Sequence, residues 1–275
     1  MSLVSIFNNN AGGGGGGGTA VILLGSGTCS TYRCGQGNTS SGYASTISGG
    51  RNHNATCNYS VISGGLCNTS SSYYTTVAGG LYNNAQGNSS TISGGRCNNI
   101  GNNTFYGTIS GGYCNTLSGY NSYQTISGGL CNTVSYGFAS ISGGIRNTAS
   151  AYYSIISGGR DNTASGGYST ISSGYCNIAS SQFYSSVHNG FINFVGNIVA
   201  PQNANYGVVV NGNANGTTGG TWSGFYWSVL PTPAQSGCHS FIGNGLQNIA
   251  TSEYSSVLNG IFNVSSKNYS VVLNG

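Results

Sequence analysis

The sequence predicts an all-β fold, a parallel β-solenoid of the β-roll or β-helix type wound from coils of about 15 residues. Three observations carry that prediction. First, a short unit, Tyr-Ser-Thr-Ile-Ser-Gly-Gly-x-x-Asn-x-Ala, recurs through most of the chain and is clearest across residues 141–155. Second, its β-branched marker falls at Ile47, Ile62, Val77, Ile92, Ile109, Ile126, Ile141, Ile156, Ile171 and Val187, and again at Ile242, Val257 and Val272. Successive markers in each run stand 15 residues apart, with steps of 17 after Ile92 and Ile109 and of 16 after Ile171. Third, no segment has a 3.6-residue apolar period, whereas the marker alternates with Ser and Gly at the period of a strand. A fixed short period marks repeat architectures, in which one coil cannot bury its apolar side alone.

With the marker as position 0, three columns follow. At position +6 stands Asn: Asn68, Asn83, Asn98, Asn115, Asn132, Asn147, Asn162 and Asn177, extended by Asn38, Asn193, Asn248 and Asn263, with His53 in the same place. At +8 stands a small or apolar residue, such as Ala55, Ile100, Leu117, Val134, Ala149 or Ala164. At −3 stands an aromatic residue, such as Tyr59, Tyr106, Tyr123, Phe138, Tyr153 or Tyr168. Coils stacked at about 4.8 Å set like residues over one another. An Asn column can then bond to itself through its amides, and Asn also tolerates the left-handed backbone of a tight turn. The Gly pair before it supplies positive φ where the strand ends. Alternation puts Ser-Ile-Gly on one strand face and Tyr-Thr-Ser on the other. One large and one small apolar residue per coil make a thin core. Several copies packed together would cure the deficit, and so would an aromatic column turned inward; an oligomer is the expectation.

Composition narrows the function classes. Only 3% of residues are charged and 49 are Gly, against about 25% charged and about 7% Gly in ordinary soluble domains. The glycines keep step with the repeat and 37% of the chain is hydrophobic, unlike a disordered chain. The net charge of +4 comes from Arg33, Arg51, Arg96, Arg146, Arg160 and Lys267 against Asp161 and Glu253, scattered along the sequence. Without a basic stripe to meet phosphates, no nucleic-acid partner is expected. The apolar run 21–24 is too short for a membrane span, and the first residues carry no basic n-region, so no secretory signal is visible.

Four segments follow. Residues 1–30 form an entry segment with seven glycines from Gly12 to Gly18, a tether or attachment segment through which capsid or other appendage proteins could be met. Residues 31–195 are the regular solenoid, 196–240 an irregular aromatic insertion in which 208–213 resemble one degenerate coil, and 241–275 the solenoid resumed. The insertion carries Trp222, Phe225, Tyr226 and Trp227, a candidate contact site on one face, or else a plug packed on the shaft. The final repeat does not deviate as a cap would, so the stack is expected to continue into another chain or domain.

Five cysteines share position +5: Cys67, Cys97, Cys114, Cys131 and Cys176. They suggest disulfide cross-links between coils or subunits, a buried free-thiol ladder, or zinc, the last weakened by the lack of a CxxC pair. Cys29 and Cys34 could close a small loop. Arg146 and Asp161, one coil apart at +5, can form an ion pair of structural meaning. With Asp161 and Glu253 the only carboxylates, no acid–base pair forms within one chain, so catalysis and a cofactor are not expected.

The pattern YSTISGGxxNTASGxYS resembles the head repeats of trimeric autotransporter adhesins, which carry Ser-Val-Ala-Ile-Gly-x-x-Ala-x-Ala. It is also similar to the Ser-Gly-Gly-x-x-Asn-x-Ala-Ser-Gly repeats of fibre and surface proteins in bacteria, phages and large DNA viruses. The likeness covers residues 32–195 and 242–275; the period of 15 rather than 14, and Ile followed by Ser-Gly-Gly, depart from the adhesin heads. It implies a left-handed parallel β-roll, assembled as a homotrimer and used as a stalk or adhesive head. The lack of a visible export signal, coiled coil or barrel anchor favours a virion protein over a bacterial one.

The expectation is a non-enzymatic structural shaft of a virion fibre or similar surface appendage, about 70 Å long from fifteen stacked strand positions. One alternative is an adhesin whose Trp222–Trp227 excursion touches a host glycan or protein. Another is an ice-binding solenoid, suggested by an incomplete outward column of Thr46, Thr76, Thr91, Thr108, Thr125 and Thr170.

Overall fold

The computed structural model describes residues 22–24, 26, 28, 31–33, 36–119, 123–180, 183–196, 207–213, 215, 221–222, 227–229 and 239–275, with 22–24, 32–33, 221–222 and 227–229 described by their backbone. The poly-Gly segment, Phe225, Tyr226, Cys29, Cys34 and Cys238 lie outside the described residues.

Each coil contains two very short strands. The pair at −1 and 0, such as Thr125–Ile126, forms the first, where β-branching suits the pleat. Gly at +3 then turns the chain with φ of 94° at Gly129. The pair at +7 and +8, such as Thr133–Val134, forms the second strand. Between them the residue at +4 makes a lone parallel bridge to its counterparts in the coils on either side, as Leu130 does to Tyr113 and Ile145. Like positions pair without slippage, Ile126 with Ile109 and Ile141, Val134 with Leu117 and Ala149. The first strands build a sixteen-stranded sheet running from Ile22–Leu24 to Val271–Val272. Every neighbour in it is parallel save Ile22–Leu24, which reverses to pair antiparallel with Thr31–Arg33. The second strands build an eleven-stranded sheet from Thr39–Ser40 to Phe194–Val195, and the pairing resumes between Ile249–Ala250 and Val264–Ser265. Among the described residues there is no helix.

Four columns point inward. The marker Ile or Val and the +8 residue are fully buried along most of the rod, and so are Ser at −2 and Asn at +6. The predicted alternation is therefore right: Ser154 and Ile156 are buried while Ile155, at −1 in that coil, is exposed. The aromatic column does not turn inward. Tyr106, Tyr123, Phe138 and Tyr153 are all exposed, which removes the alternative in which they fill a monomer core.

The Asn column departs from expectation in its backbone. It is the residue before Asn, at +5, that is left-handed, with φ of 55° at Cys131 and 52° at Arg146, and the residue at −3 likewise, with φ of 55° at Tyr153. The physical reason is hydrogen-bond direction. Along the strands and at +4, each N–H donates to the following coil, as Thr133 does to the Asn147 carbonyl and Leu130 to the Gly144 carbonyl, both at 2.9 Å. At +5 and −3 the N–H turns round: Arg146 donates to Leu130 in the preceding coil at 2.8 Å, and Tyr168 to Tyr152 at 2.8 Å. A left-handed residue with a Cβ costs about 1–2 kcal/mol. Here that cost is offset by tying every coil to both neighbours.

In the 16- and 17-residue steps the extra length falls in one turn, between +8 and −3. The two 17-residue steps, Asn98 to Asn115 and Asn115 to Asn132, leave both sheets in register. Across the long excursion the main sheet keeps its register. Within 196–240, Val208–Val209 joins the main sheet between Ser186–Val187 and Phe241–Ile242, so an ordinary coil sits inside the insertion.

Candidate functional site

The buried Asn column is the structural spine. Oδ1 of each Asn accepts the backbone N–H of the next: Asn147 N–H to Asn132 at 2.9 Å, Asn162 to Asn147 at 3.0 Å, Asn177 to Asn162 at 2.9 Å. Nδ2 donates twice, to the +2 glycine of its own coil and the +3 glycine of the next; for Asn147 these are Gly143 at 3.1 Å and Gly159 at 3.0 Å. Asn68, Asn83, Asn98, Asn115, Asn132 and Asn162 repeat the pattern. This corrects the expected amide-to-amide ladder. The inward carboxamide faces the next Asn N–H and the +2 glycine carbonyl, both left unpaired by the turn, and satisfying those takes precedence. Side-chain amides meet directly as well at a few rungs, as from Asn177 to Asn162 at 3.1 Å and from Asn193 to Asn177 at 3.0 Å.

Sequence reasoning missed one rung. Asn215 accepts the Asn248 N–H at 2.9 Å across 33 residues, and itself donates its N–H to Asn193 at 3.1 Å across 22. The signal was available: Gly212 stands three residues before Asn215, the same spacing as Gly144 before Asn147. His53 is a rung of another kind, buried rather than a plain turn residue. Its Nδ1 accepts the Asn68 N–H at 3.1 Å, while Nε2 is buried without a partner. Burial holds its pKa below the usual 6.5, against the opposing effect of nearby backbone groups of Gly65 and Asn68.

Two exposed edges flank the sheets. One is the aromatic column at −3. Tyr106, Tyr123, Phe138, Tyr153, Tyr168 and Tyr184 form an unbroken stack with centroids 4.9, 5.3, 4.9, 4.9 and 5.0 Å apart. Past the insertion His239, Tyr254 and Tyr269 stack again at 4.6 and 5.0 Å. The ring faces meet one another along the rod, so edges rather than faces are left for solvent.

The other edge is made by positions +4 and +5. At +4 a mostly apolar column, including Leu81, Tyr113, Leu130 and Ile145, is interrupted by Arg51, Arg96 and Arg160. Arg96 lies 5.6 Å over the Tyr113 ring and Arg160 lies 5.5 Å over Tyr175. At +5 stand the five cysteines, and Arg146 meets Asp161 in the expected ion pair with contacts of 2.6 and 2.7 Å. The Arg146 hydrogen bonds hold the Asp161 carboxyl below its ordinary range. Cys131 is exposed, Cys67, Cys97, Cys114 and Cys176 are half-buried, and all five are free. Neither coil-to-coil disulfides nor a fully buried thiol ladder is present among them. Residues in parallel register on a left-handed corner point the same way, which strains the dihedral a disulfide needs. Burial pushes the Cys114 thiol up from its usual value. Among the described residues no group of three or more His, Cys, Asp or Glu could hold a metal ion.

Of the aromatic excursion, the backbone is described in two places: Thr221–Trp222 pairs antiparallel with Trp227–Val229, and Trp222 is opposite Trp227. The Trp side chains, Phe225 and Tyr226 lie outside the described residues. No protein-family model matches the chain, and no curated protein matches it.

Proposed function

We propose that this protein is a non-enzymatic structural shaft, the stiff part of a virion fibre or similar surface appendage. The observation that supports it is the Asn ladder, which continues from Asn38 to Asn263 and crosses the insertion without a break. Each step between coils repeats the same bonds, so bending resistance is spread evenly along the rod, as expected of quasi-one-dimensional repeats. The thin interior of one aliphatic and one small residue per coil favours a homo-oligomer, and the resemblance to adhesin heads favours three chains. Residues 1–30 would anchor it to a capsid or other appendage protein.

Small-angle scattering on the purified chain should give a rod cross-section and a length of about 70 Å per chain, with native mass reporting the number of copies. An antibody against the rod should decorate projections on intact particles; label confined to particle interiors would overturn the reading. The adhesin alternative rests on the Trp222–Trp227 hairpin lying where every insertion emerges. Removing residues 221–238 separates the two: an intact rod that no longer attaches to a host surface favours the adhesin.

A further inference from the structure

The +4/+5 edge carries a largely exposed apolar column, touched by Arg96 at Tyr113 and by Arg160 at Tyr175, beside a column of thiols that form no disulfide within the chain. We propose that this edge is a self-complementary contact, through which two copies pair antiparallel and are sealed by disulfides Cys114–Cys131′ and Cys67–Cys176′, primes marking the second copy.

The register follows from counting coils. Cys114 and Cys131 lie on adjacent coils; Cys67 lies three coils before Cys114, and Cys176 three coils after Cys131. A two-fold axis passing midway between the Cys114 and Cys131 coils therefore sets both pairs opposite each other at once. No other antiparallel register aligns as many of the five. An isologous contact repeats each pair twice, so four disulfides form and only Cys97 is left over, facing Arg146′.

The neighbouring column agrees with this register. Tyr113 comes opposite Leu130′, Leu66 opposite Tyr175′, and Arg96 opposite Ile145′, while at +5 the Tyr82 hydroxyl faces the Asp161′ carboxylate. No arginine meets an arginine. In a parallel in-register alternative with its two-fold axis along the +4 column, Arg51, Arg96 and Arg160 would each oppose themselves, and like-charge juxtaposition is unfavourable. Area explains the thiols. A strip of ten coils at about 4.8 Å and roughly 12 Å wide buries on the order of 600 Å² per copy, about 1,200 Å² in all, the low end for a stable interface. A covalent tie turns a marginal contact into a lasting one.

The chemistry needs an oxidant, here a small disulfide such as oxidised glutathione. The Cys131 thiolate attacks it, forming a mixed disulfide and releasing one glutathione thiolate. The Cys114′ thiolate then displaces the second. Two electrons pass from the cysteine pair to glutathione, and the two thiol protons end on the two reduced glutathiones. The contact goes beyond the shaft reading and does not rest on it: it joins one rod to a neighbouring rod along this edge, apart from any parallel bundling of copies within a shaft.

The test uses the full chain, purified reduced and then equilibrated with oxidised glutathione. A non-reducing gel should show a species of twice 27.9 kDa that collapses on reduction. Peptide mapping should find Cys67 joined to Cys176, which are seven coils apart and so cannot be joined within one chain. Mixed heavy- and light-isotope chains should give Cys114–Cys131 links that join one of each. Cys97→Ser should leave the dimer yield unchanged. The double variant Cys67→Ser, Cys114→Ser, its fold checked by circular dichroism, should lose at least nine-tenths of it. A chain that stays monomeric, homotypic links such as Cys97–Cys97′, or a double variant that still dimerises would each overturn the proposal.

Discussion

Asn132 accepts the backbone N–H of Asn147 through Oδ1 at 2.9 Å, while its Nδ2 bridges the carbonyls of Gly128 and Gly144 at 3.0 Å each. One buried side chain thus serves three backbone groups, of which the Gly144 carbonyl also accepts the Leu130 N–H. Truncation orphans the other two, the Asn147 N–H and the Gly128 carbonyl, and a buried unpaired polar group costs about 1–3 kcal/mol. Asn132→Ala should therefore destabilise by about 3 kcal/mol in denaturant titration, since part of the loss is recovered by relaxation. Asn132→Asp should be at least as costly, because it aims a carboxylate oxygen at carbonyls. A change below about 1 kcal/mol for both variants would mean the ladder is ornamental.

His53 gives the same column a pH dependence. Its folded pKa lies below the usual 6.5 because burial disfavours the imidazolium. Protons therefore bind the unfolded chain more readily, and stability is complete above about pH 6.5 and declines as pH falls through the window down to the folded value. His53→Asn restores a donor toward the glycine carbonyls that Nε2 leaves unserved. It should stabilise by about 1 kcal/mol at pH 7.5 and by more at pH 5.5. Denaturation at the two pH values checks this; parallel losses in wild type and variant would show that His53 does not carry the dependence.

Fold and phase were legible because parallel in-register stacking converts sequence period directly into columns: Ile141 lies between Ile126 and Ile156 since nothing else can. Burial of Ser at −2 and the half-buried, outward place of Thr at −1 followed from alternation alone. The role of Asn was half legible. Its column was plain, but amide-to-amide bonding was inferred from stacking distance, whereas the partners are glycine carbonyls that only the turn geometry brings within reach. The left-handed residue at +5 was invisible because mostly Cys, Arg, Asp and aromatic residues occupy it, with Asn52 the one Asn among the described residues. Asn215 was overlooked because an excursion that leaves and rejoins at one turn disturbs the spacing without disturbing the stack.

The paired glycines are unequal. A Cβ on Gly143 would meet nothing within 4 Å, whereas one on Gly144, at φ 93°, would lie 2.2 Å from the Gly159 carbonyl oxygen. Gly143→Ala should be within about 1 kcal/mol of wild type. Gly144→Ala adds left-handed strain to a backbone clash that the other +3 glycines, such as Gly129 and Gly159, would share, and should cost more than about 2 kcal/mol. Equal effects on the midpoint of unfolding would contradict the turn geometry.

Tyr153 combines stacking with strain. Its ring lies 4.9 Å from both Phe138 and Tyr168, at 11° to each, on a backbone with φ of 55°. Tyr153→Ala loses both stacks, about 0.5–1.5 kcal/mol each, and keeps the strain. Tyr153→Gly loses the stacks but gains back about 1 kcal/mol of left-handed penalty. The expected order of stability is Tyr, then Gly, then Ala, the reverse of the usual ranking of Ala over Gly in regular structure. Finding Ala above Gly would refute the left-handed corner.

The insertion offers a test of how far the coil is modular. Asn215 and Asn248 are 33 residues apart where a regular step is 15, so eighteen residues are surplus. Removing residues 221–238 deletes that surplus and brings Gly216-Thr217-Thr218-Gly219-Gly220 directly before His239. The next marker, Ile242, then follows Val209 at the regular period, with Asn215 still bonded to Asn248. Because the excursion enters and leaves through the turn between +8 and −3, its loss shortens a loop without removing a rung. The closure cost of a loop rises only slowly with its length, so the shortened chain should unfold at a midpoint equal to or above that of the intact one. Amide exchange should remain slow at Asn248 and at Phe241, whose N–H groups bond to Asn215 and Ser255. Rapid exchange at those two positions in the deleted chain would mean that the excursion holds the last coils in place rather than hanging from them.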